Sequence, residues 1–234
     1  MLNAQTTNLA GHACRSVWAT ICRKQVVAVT GLGLAVFVMM HMAGNMLIFV
    51  GPRAYNEYGH AITSNPLLYV AELGLIAMFI GHAFQAAYMV RKNAQARAVP
   101  YAMQATGDKA TSWLHKTLFV QGLILLVFVI LHLITFKYGP HYTVNYGNGD
   151  IRDLHRLMVE VFKQPGYVVW YLIALAILCL HLAHGVKSTV QTLGFNHPRY
   201  NCGIRIFGVV YAVIVAGGFI SQPIYMFFFG GATP

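Results

Sequence analysis

Five long hydrophobic segments dominate the 234-residue sequence and constrain its fold more than any other feature. Two of them, Gln25 to Pro52 and Thr117 to Phe136, contain no Asp, Glu, Lys or Arg. An uncharged apolar run of about 18 residues or more is long enough to cross the hydrocarbon core of a bilayer as a helix. Only 9% of the residues are charged, against about a quarter in an ordinary soluble domain. The sequence therefore predicts an all-α integral membrane protein.

The whole chain, residues 1–234, is interpreted as a single transmembrane domain with five spans. Their predicted limits are about 25–50, 67–91, 115–136, 166–193 and 204–230. The segment after the third span contains turn-forming residues and then apolar residues at helical spacing from Ile151 to Phe162. We expect this second part to form a surface helix that covers one end of the bundle.

Lysine and arginine residues are distributed unequally between the two ends of the predicted spans. Because these residues resist translocation, they accumulate on the cytoplasmic side. One side has eleven and the other has five, which predicts a cytoplasmic N-terminus and an external C-terminus. The larger set is Arg15, Arg23, Lys24, Arg91, Lys92, Arg97, Lys109, Lys116, Lys187, Arg199 and Arg205. The basic residues that give the net charge of +10 lie between the membrane spans and do not form a solvated stripe, so nucleic-acid binding is not expected.

Histidines inside the predicted spans lie at two depths. A helix rises about 1.5 Å per residue, so His41 and His132 lie roughly 24 and 22 Å beyond the inner ends of their spans. His82 lies only about 12 Å from the inner end of the second span, and His184 is at a similar depth in the fourth. His181 lies one turn earlier on nearly the same face of that span. Spacing does not choose between these two, although depth favours His184.

One histidine from each of four helices, paired at two levels, is the arrangement that two b-type haems require within a four-helix core. Two axial imidazoles leave the iron no open position, so such a haem transfers electrons and does not bind oxygen. The alternatives for each single histidine are a hydrogen bond between helices or a role in a transport pathway. Gly31 and Gly44 are candidates for close approach of a haem, although small residues also occur wherever membrane helices pack closely.

Several short motifs occur in the order and on the spans of one known family. They are Thr30-Gly31-Leu32, His41-Met42-Ala43-Gly44-Asn45, Phe49-Val50-Gly51-Pro52, Tyr55-Asn56, Ser64-Asn65-Pro66, Ala71-Glu72, Gly81-His82, Leu131-His132-Leu133 and His184-Gly185. With these motifs the chain resembles the five-helix, di-haem cytochrome b subunit of succinate dehydrogenases and fumarate reductases over nearly its whole length.

The resemblance implies particular ligands and partners. His41 and His132 would hold the distal haem, and His82 and His184 the proximal haem, which leaves His181 as a group beside the haem. An iron–sulfur subunit and a flavoprotein subunit with FAD would dock on the cytoplasmic face and contain the succinate site. The chain would exchange electrons with a quinone, commonly menaquinone, in a bacterial or archaeal cytoplasmic membrane.

A quinone site needs groups that exchange protons, and the sequence offers three near the outer side. Glu72 is the single acid in the second span, whereas Glu57 and His60 are expected in the loop before it. A carboxylate within a span is costly and often carries protons, but Glu72 is equally compatible with an ion pair or with orienting a haem ligand.

Two other functions compete with this interpretation. A di-haem cytochrome b that anchors another dehydrogenase, such as a hydrogenase or formate dehydrogenase, would share the histidine pattern but usually docks its partner on the outer face. A transporter would use the buried histidines for protons or substrate. It would usually show repeated halves and broken helices, and neither is evident in this sequence.

Overall fold

The protein is a bundle of long helices. The computed structural model describes the backbone of residues 2–96 and 113–231 and the side chains of residues 21–96 and 117–231. Within these residues, five helices are long and apolar enough to cross a membrane, which confirms the predicted all-α, five-span architecture. In chain order the helices are α1 (Leu2–Asn45), α2 (Pro52–Thr63), α3 (Leu67–Gln95), α4 (Trp113–His132), α5 (Leu154–Phe162), α6 (Pro165–Thr192) and α7 (Pro198–Phe229).

Helices α1 and α7 extend furthest beyond their predicted limits. Helix α1 begins at Leu2 and runs without a break to Asn45. Helix α7 begins at Pro198, because proline is tolerated in the first turn and the His197 side chain accepts the backbone N–H of Arg199 at 3.2 Å. Of the basic residues assigned to the inner side, Arg97 and Lys109 lie outside the described residues, as do the side chains of Arg15 and Lys116.

Four of the spanning helices form a closed ring. Helix α1 packs against α3, α3 against α4, α4 against α6, and α6 back against α1. Helix α7 lies outside this ring and contacts α6 and α1. Apolar side chains such as Leu67 and Leu73 of α3 face outward, with 69% and 68% exposure, as expected for a surface in contact with lipid. The fold thus has a four-helix core with a fifth helix packed on one side.

A small cap covers the end of the bundle at which α1 ends, which we call the outer end after the predicted orientation. It consists of α2, an antiparallel hairpin of β1 (Thr143–Asn145) and β2 (Asp150–Arg152), and α5. The predicted surface helix is therefore present as α5. The expectation that Glu57 and His60 lie in a loop is wrong, because these residues lie in α2, which begins with Pro52.

Asn56 of α2 joins the three parts of the cap. Its side chain is fully buried, and its amide nitrogen donates to Asp153 Oδ1 at 2.8 Å and to the Tyr146 hydroxyl at 3.1 Å. Its amide oxygen accepts the backbone N–H of His155 at 2.9 Å. Asp153 in turn accepts the backbone N–H of Arg156 and thereby caps α5. One side chain thus ties α2 to the hairpin and to the first turn of α5.

We predict that Asn56→Ala loosens the cap while the membrane bundle stays intact. The change leaves the His155 N–H without its partner and removes a donor from Asp153, at a cost of about 1–3 kcal/mol. Hydrogen–deuterium exchange of the protein in detergent is expected to rise at residues 143–162. Asn148→Ala is the control, because Asn148 is exposed at the tip of the hairpin. Equal exchange in the two variants would contradict the role given to Asn56.

Candidate haem-binding site

His41 and His132 face each other near the outer end of the ring of helices. His41 lies in α1, and His132 is the last residue of α4, where the chain passes into a π-helical turn, Leu133–Lys137. Their ring centroids are 5.9 Å apart and their planes are nearly perpendicular, at 87°. Phe37 and Phe219 also contact the His41 ring, with centroids 5.5 and 5.7 Å away. The two histidines expected at the outer level are thus brought together within an apolar surrounding.

Each of these two histidines has a polar group next to its Nδ1 nitrogen. Nδ1 of His132 lies 3.1 Å from the hydroxyl of Tyr171 in α6. Nδ1 of His41 lies 3.4 Å from the side-chain nitrogen of Asn45, one turn later in α1. The Tyr55 hydroxyl donates to the Asn45 side-chain oxygen at 2.8 Å. Burial raises the pKa of Tyr55 above its ordinary value, so this hydroxyl keeps the proton that it donates.

The inner level is formed by His82 of α3 and His181 of α6. Their ring centroids are 6.5 Å apart and their planes are at 76°. Nδ1 of His82 lies 3.2 Å from the Val27 carbonyl oxygen and 3.3 Å from the Thr30 hydroxyl, both in α1. The ring that the structure places against His82 is therefore that of His181, whereas the sequence analysis preferred His184. His184 lies one turn further along α6 and is half-buried.

Helix α1 fixes the separation of the two levels, because it contacts both. Thr30, beside the inner pair, is eleven residues from His41 in the outer pair. Eleven residues of an α-helix rise about 16 Å. The two imidazole pairs are therefore distinct sites at different depths and share no ring.

The donor set fits a haem better than a bare metal ion. Among the described residues, no group of three or more His, Cys, Asp or Glu side chains could hold a metal ion. A haem needs only two axial ligands from the protein, since its macrocycle supplies the rest. If each imidazole nitrogen lies about 2 Å from the metal, as in other histidine–metal sites, two opposed rings have centroids about 6 Å apart. The separations of 5.9 and 6.5 Å agree with this value.

The two glycines proposed to give a haem clearance lie beside side chains of the site. A Cβ at Gly31 would lie 3.1 Å from Cε1 of His82, so the absence of a side chain lets that ring approach α1. A Cβ at Gly44 would lie 2.7 Å from Cε1 of Tyr58. Gly31 therefore accommodates one of the paired histidines, whereas Gly44 accommodates a tyrosine of the cap.

The three candidate groups for proton exchange occupy different surroundings near the outer end. Glu72 forms an ion pair with Lys137 at the end of the π-helical turn, and both side chains are partly exposed. Glu57 forms an ion pair with Arg53 at 2.8 Å on the surface of α2. His60 is exposed on the same helix. The structure therefore favours the ion-pair interpretation of Glu72 and does not gather the three groups into one cluster.

Tyr171 and Thr30 are site residues that the sequence analysis did not identify. Tyr171 lies six residues after the start of α6 at its outer end, which corresponds to about 9 Å of depth. The constant rise of a helix, which predicts two depths for the histidines, therefore also predicts that this hydroxyl lies near His132. Thr30 gives no comparable signal in the sequence, because a threonine within a span usually bonds its own helix, as Thr30 does with Val26 at 2.6 Å.

The fold and the site define an integral membrane protein with five spanning helices and two levels of facing histidines. The chain is similar to the succinate dehydrogenase cytochrome b558 subunit of Bacillus subtilis (strain 168), with 24% identity over 168 residues. The match covers 70% of this chain and 74% of that protein. No protein-family model matches the chain, and no solved structure matches it. The similarity to this succinate dehydrogenase subunit confirms the resemblance that the motifs indicate.

We predict that the main effect of Glu72 is to pair with Lys137. Glu72→Gln and Lys137→Met are each expected to lower thermal stability, and the double-mutant cycle should give a coupling of at most about 1 kcal/mol, because both side chains are partly exposed. The Arg53–Glu57 pair, with 61% and 47% exposure, is the control and should couple less. Unchanged stability of both Glu72→Gln and Lys137→Met would contradict this role.

Proposed function

We propose that this chain is the membrane anchor and electron-transfer subunit of a succinate dehydrogenase or fumarate reductase. It carries electrons through two b haems between an iron–sulfur subunit and a membrane quinone. The observation that supports this most directly is the presence of two imidazole pairs, one histidine from each of four ring helices, at two depths. The name of the similar Bacillus subtilis protein supports succinate dehydrogenase as the complex.

The histidines provide the axial positions. His41 and His132 are the proposed ligands at the outer, distal level, and His82 is a ligand at the inner, proximal level. His181 is our first choice as its partner, since its ring faces His82, and His184 is the alternative. When bound, each b haem supplies a one-electron carrier at its level. Two imidazoles at each level would hold the haem there, and the rings of Phe37 and Phe219 give His41 apolar surroundings.

The unequal distribution of basic residues between the two ends of the spans supports the proposed orientation and the proposed partners. With eleven basic residues on one side and five on the other, we place the N-terminus in the cytoplasm and the C-terminus outside. The basic face is the proposed docking surface for the iron–sulfur subunit, behind which the flavoprotein subunit with its FAD holds the succinate site. This chain is then the quinone-reactive part of the enzyme in the cytoplasmic membrane.

The quinone is proposed to be menaquinone. Its reduction takes up two electrons and two protons, so its site needs hydrogen-bonding groups and access to water at one face. Glu72, Glu57 and His60 are the proposed proton-exchanging groups near the outer end. Two of them are engaged in ion pairs, and His60 is exposed on α2.

Counting haems in the co-purified complex tests the proposed function. We predict two b haems per copy of this chain in a pyridine haemochrome assay and reduction of both by succinate. His41→Ala is expected to remove one haem, because the distal iron would lose an axial ligand, while the other haem keeps its absorption spectrum. Activity is measured as succinate-driven reduction of a menaquinone analogue.

Other outcomes separate the competing functions. A folded, fully assembled preparation without haem would reject electron transfer and favour a transporter with buried histidines. Two haems that succinate does not reduce, in a complex that contains another dehydrogenase, would favour an anchor for that enzyme. A His41→Ala variant that retains both haems would reject the assignment of the distal level.

The choice between His181 and His184 has its own test. Because the His181 ring faces His82, we predict that His181→Ala loses the inner haem and that His184→Ala retains it. The haem count and low-temperature absorption spectra of the two variants give the answer, and each variant serves as the control for the other. Loss of haem in His184→Ala alone would support the assignment that the sequence analysis preferred.

A further inference from the structure

Tyr171 has a buried hydroxyl next to one of the paired histidines. The residue lies in α6, is only 6% exposed, and places its hydroxyl 3.1 Å from Nδ1 of His132. Tyr171 is not a proposed iron ligand, but it contacts one of the paired histidines. Its contact is with the ring nitrogen that an iron bound at Nε2 would leave free.

Aromatic packing fixes the position of this hydroxyl. The Tyr171 ring contacts Phe128 of α4 and Phe162 of α5, with centroids 5.0 Å away in both cases. Phe136, in the π-helical turn after His132, lies 6.2 Å away. Edge-to-face contacts of this kind add to the stabilisation from burial, and the Tyr171 side chain has little room to move. The hydroxyl is therefore held against the histidine by the packing of three elements.

None of the other three paired histidines has so short a side-chain contact at Nδ1 among the described residues. Nδ1 of His82 faces a backbone carbonyl oxygen, of Val27, as well as the Thr30 hydroxyl. The contact between His41 and Asn45 is long, at 3.4 Å. Nδ1 of His181 is buried without a hydrogen-bond partner among the described residues. Tyr171 therefore provides the shortest of the side-chain contacts to the Nδ1 atoms of these four histidines.

We infer that Tyr171 is a positioning residue that orients His132 and sets the redox potential of the outer haem independently of the inner one. This inference rests on the proposed function. With iron at Nε2, the proton of His132 lies on Nδ1 and is donated to the Tyr171 oxygen. Such a hydrogen bond fixes the ring and increases its electron donation to the metal, which stabilises the oxidised state and lowers the potential.

The experiment is a potentiometric titration of the purified complex that carries Tyr171→Phe. Phenylalanine keeps the aromatic packing and removes only the hydroxyl. We expect two haems, an increased midpoint potential for the outer haem and an unchanged potential for the inner haem. The electron paramagnetic resonance signal of one oxidised haem should change as well, because the His132 ring is no longer held in one orientation.

Tyr211→Phe is the matched control. Tyr211 lies in α7, is half-buried, and donates its hydroxyl to the Ala35 carbonyl of α1, so its substitution also removes an interhelical hydrogen bond within the bundle. It touches none of the paired histidines in the ring contacts or hydrogen bonds of the described residues. Both haem potentials should stay at their wild-type values in this variant.

The remaining outcomes decide the inference. Loss of the outer haem in Tyr171→Phe alone would support it, since the hydroxyl would then be needed to hold His132. Two haems with unchanged potentials and unchanged resonance signals in Tyr171→Phe would overturn it, as would equal effects of the two substitutions. Absence of haem from the wild-type complex would instead reject the proposed function, so the two failures are distinguishable.

Discussion

The rest of the structure depends on how polar imidazole rings are accommodated inside an apolar bundle. Within a bilayer, a polar side chain must find its partners in the protein because water is absent. Four helices in a ring bring the two histidine pairs together in the interior, since every helix of the ring has two neighbours and faces a third across the centre. Helix α7 lies outside the ring and supplies Phe219 to the apolar surroundings of His41.

The cap at the outer end is connected to the outer histidine pair by continuous packing. Asn56 joins α2 to the start of α5, and Phe162 at the end of α5 is 2% exposed and contacts the Tyr171 ring. Tyr171 then reaches His132 through its hydroxyl. The cap residues Leu157 and Phe162 belong to the same buried apolar cluster as Ile48 and Tyr171. The geometry of the outer pair therefore depends on folding of the cap as well as on the spanning helices.

The sequence predicted those features that depend on one helix at a time. The five spans follow from hydropathy and charge, and the two depths of the histidines follow from the constant rise of a helix. The sequence did not decide between His181 and His184, because residues one turn apart lie on nearly the same face of a helix. A small shift of α6 along its axis changes which of the two rings lies opposite His82. The partner of Glu72 is 65 residues away, at Lys137, so only the packing of α3 against the end of α4 identifies it. Helix α2 was missed because a polar segment of twelve residues resembles a loop.

The inner and outer pairs differ in what holds them. His82 faces the Val27 carbonyl, a backbone group that every residue type at that position would present, so the inner contact is a consequence of the α1 helix itself. His132 faces a tyrosine hydroxyl, and His41 faces an asparagine that accepts from Tyr55 of the cap. The outer pair is therefore set by individual side chains. A single substitution can change its hydrogen bonding while the helices keep their fold, whereas the Val27 carbonyl remains available to His82 unless α1 moves or a side chain at Gly31 displaces the His82 ring.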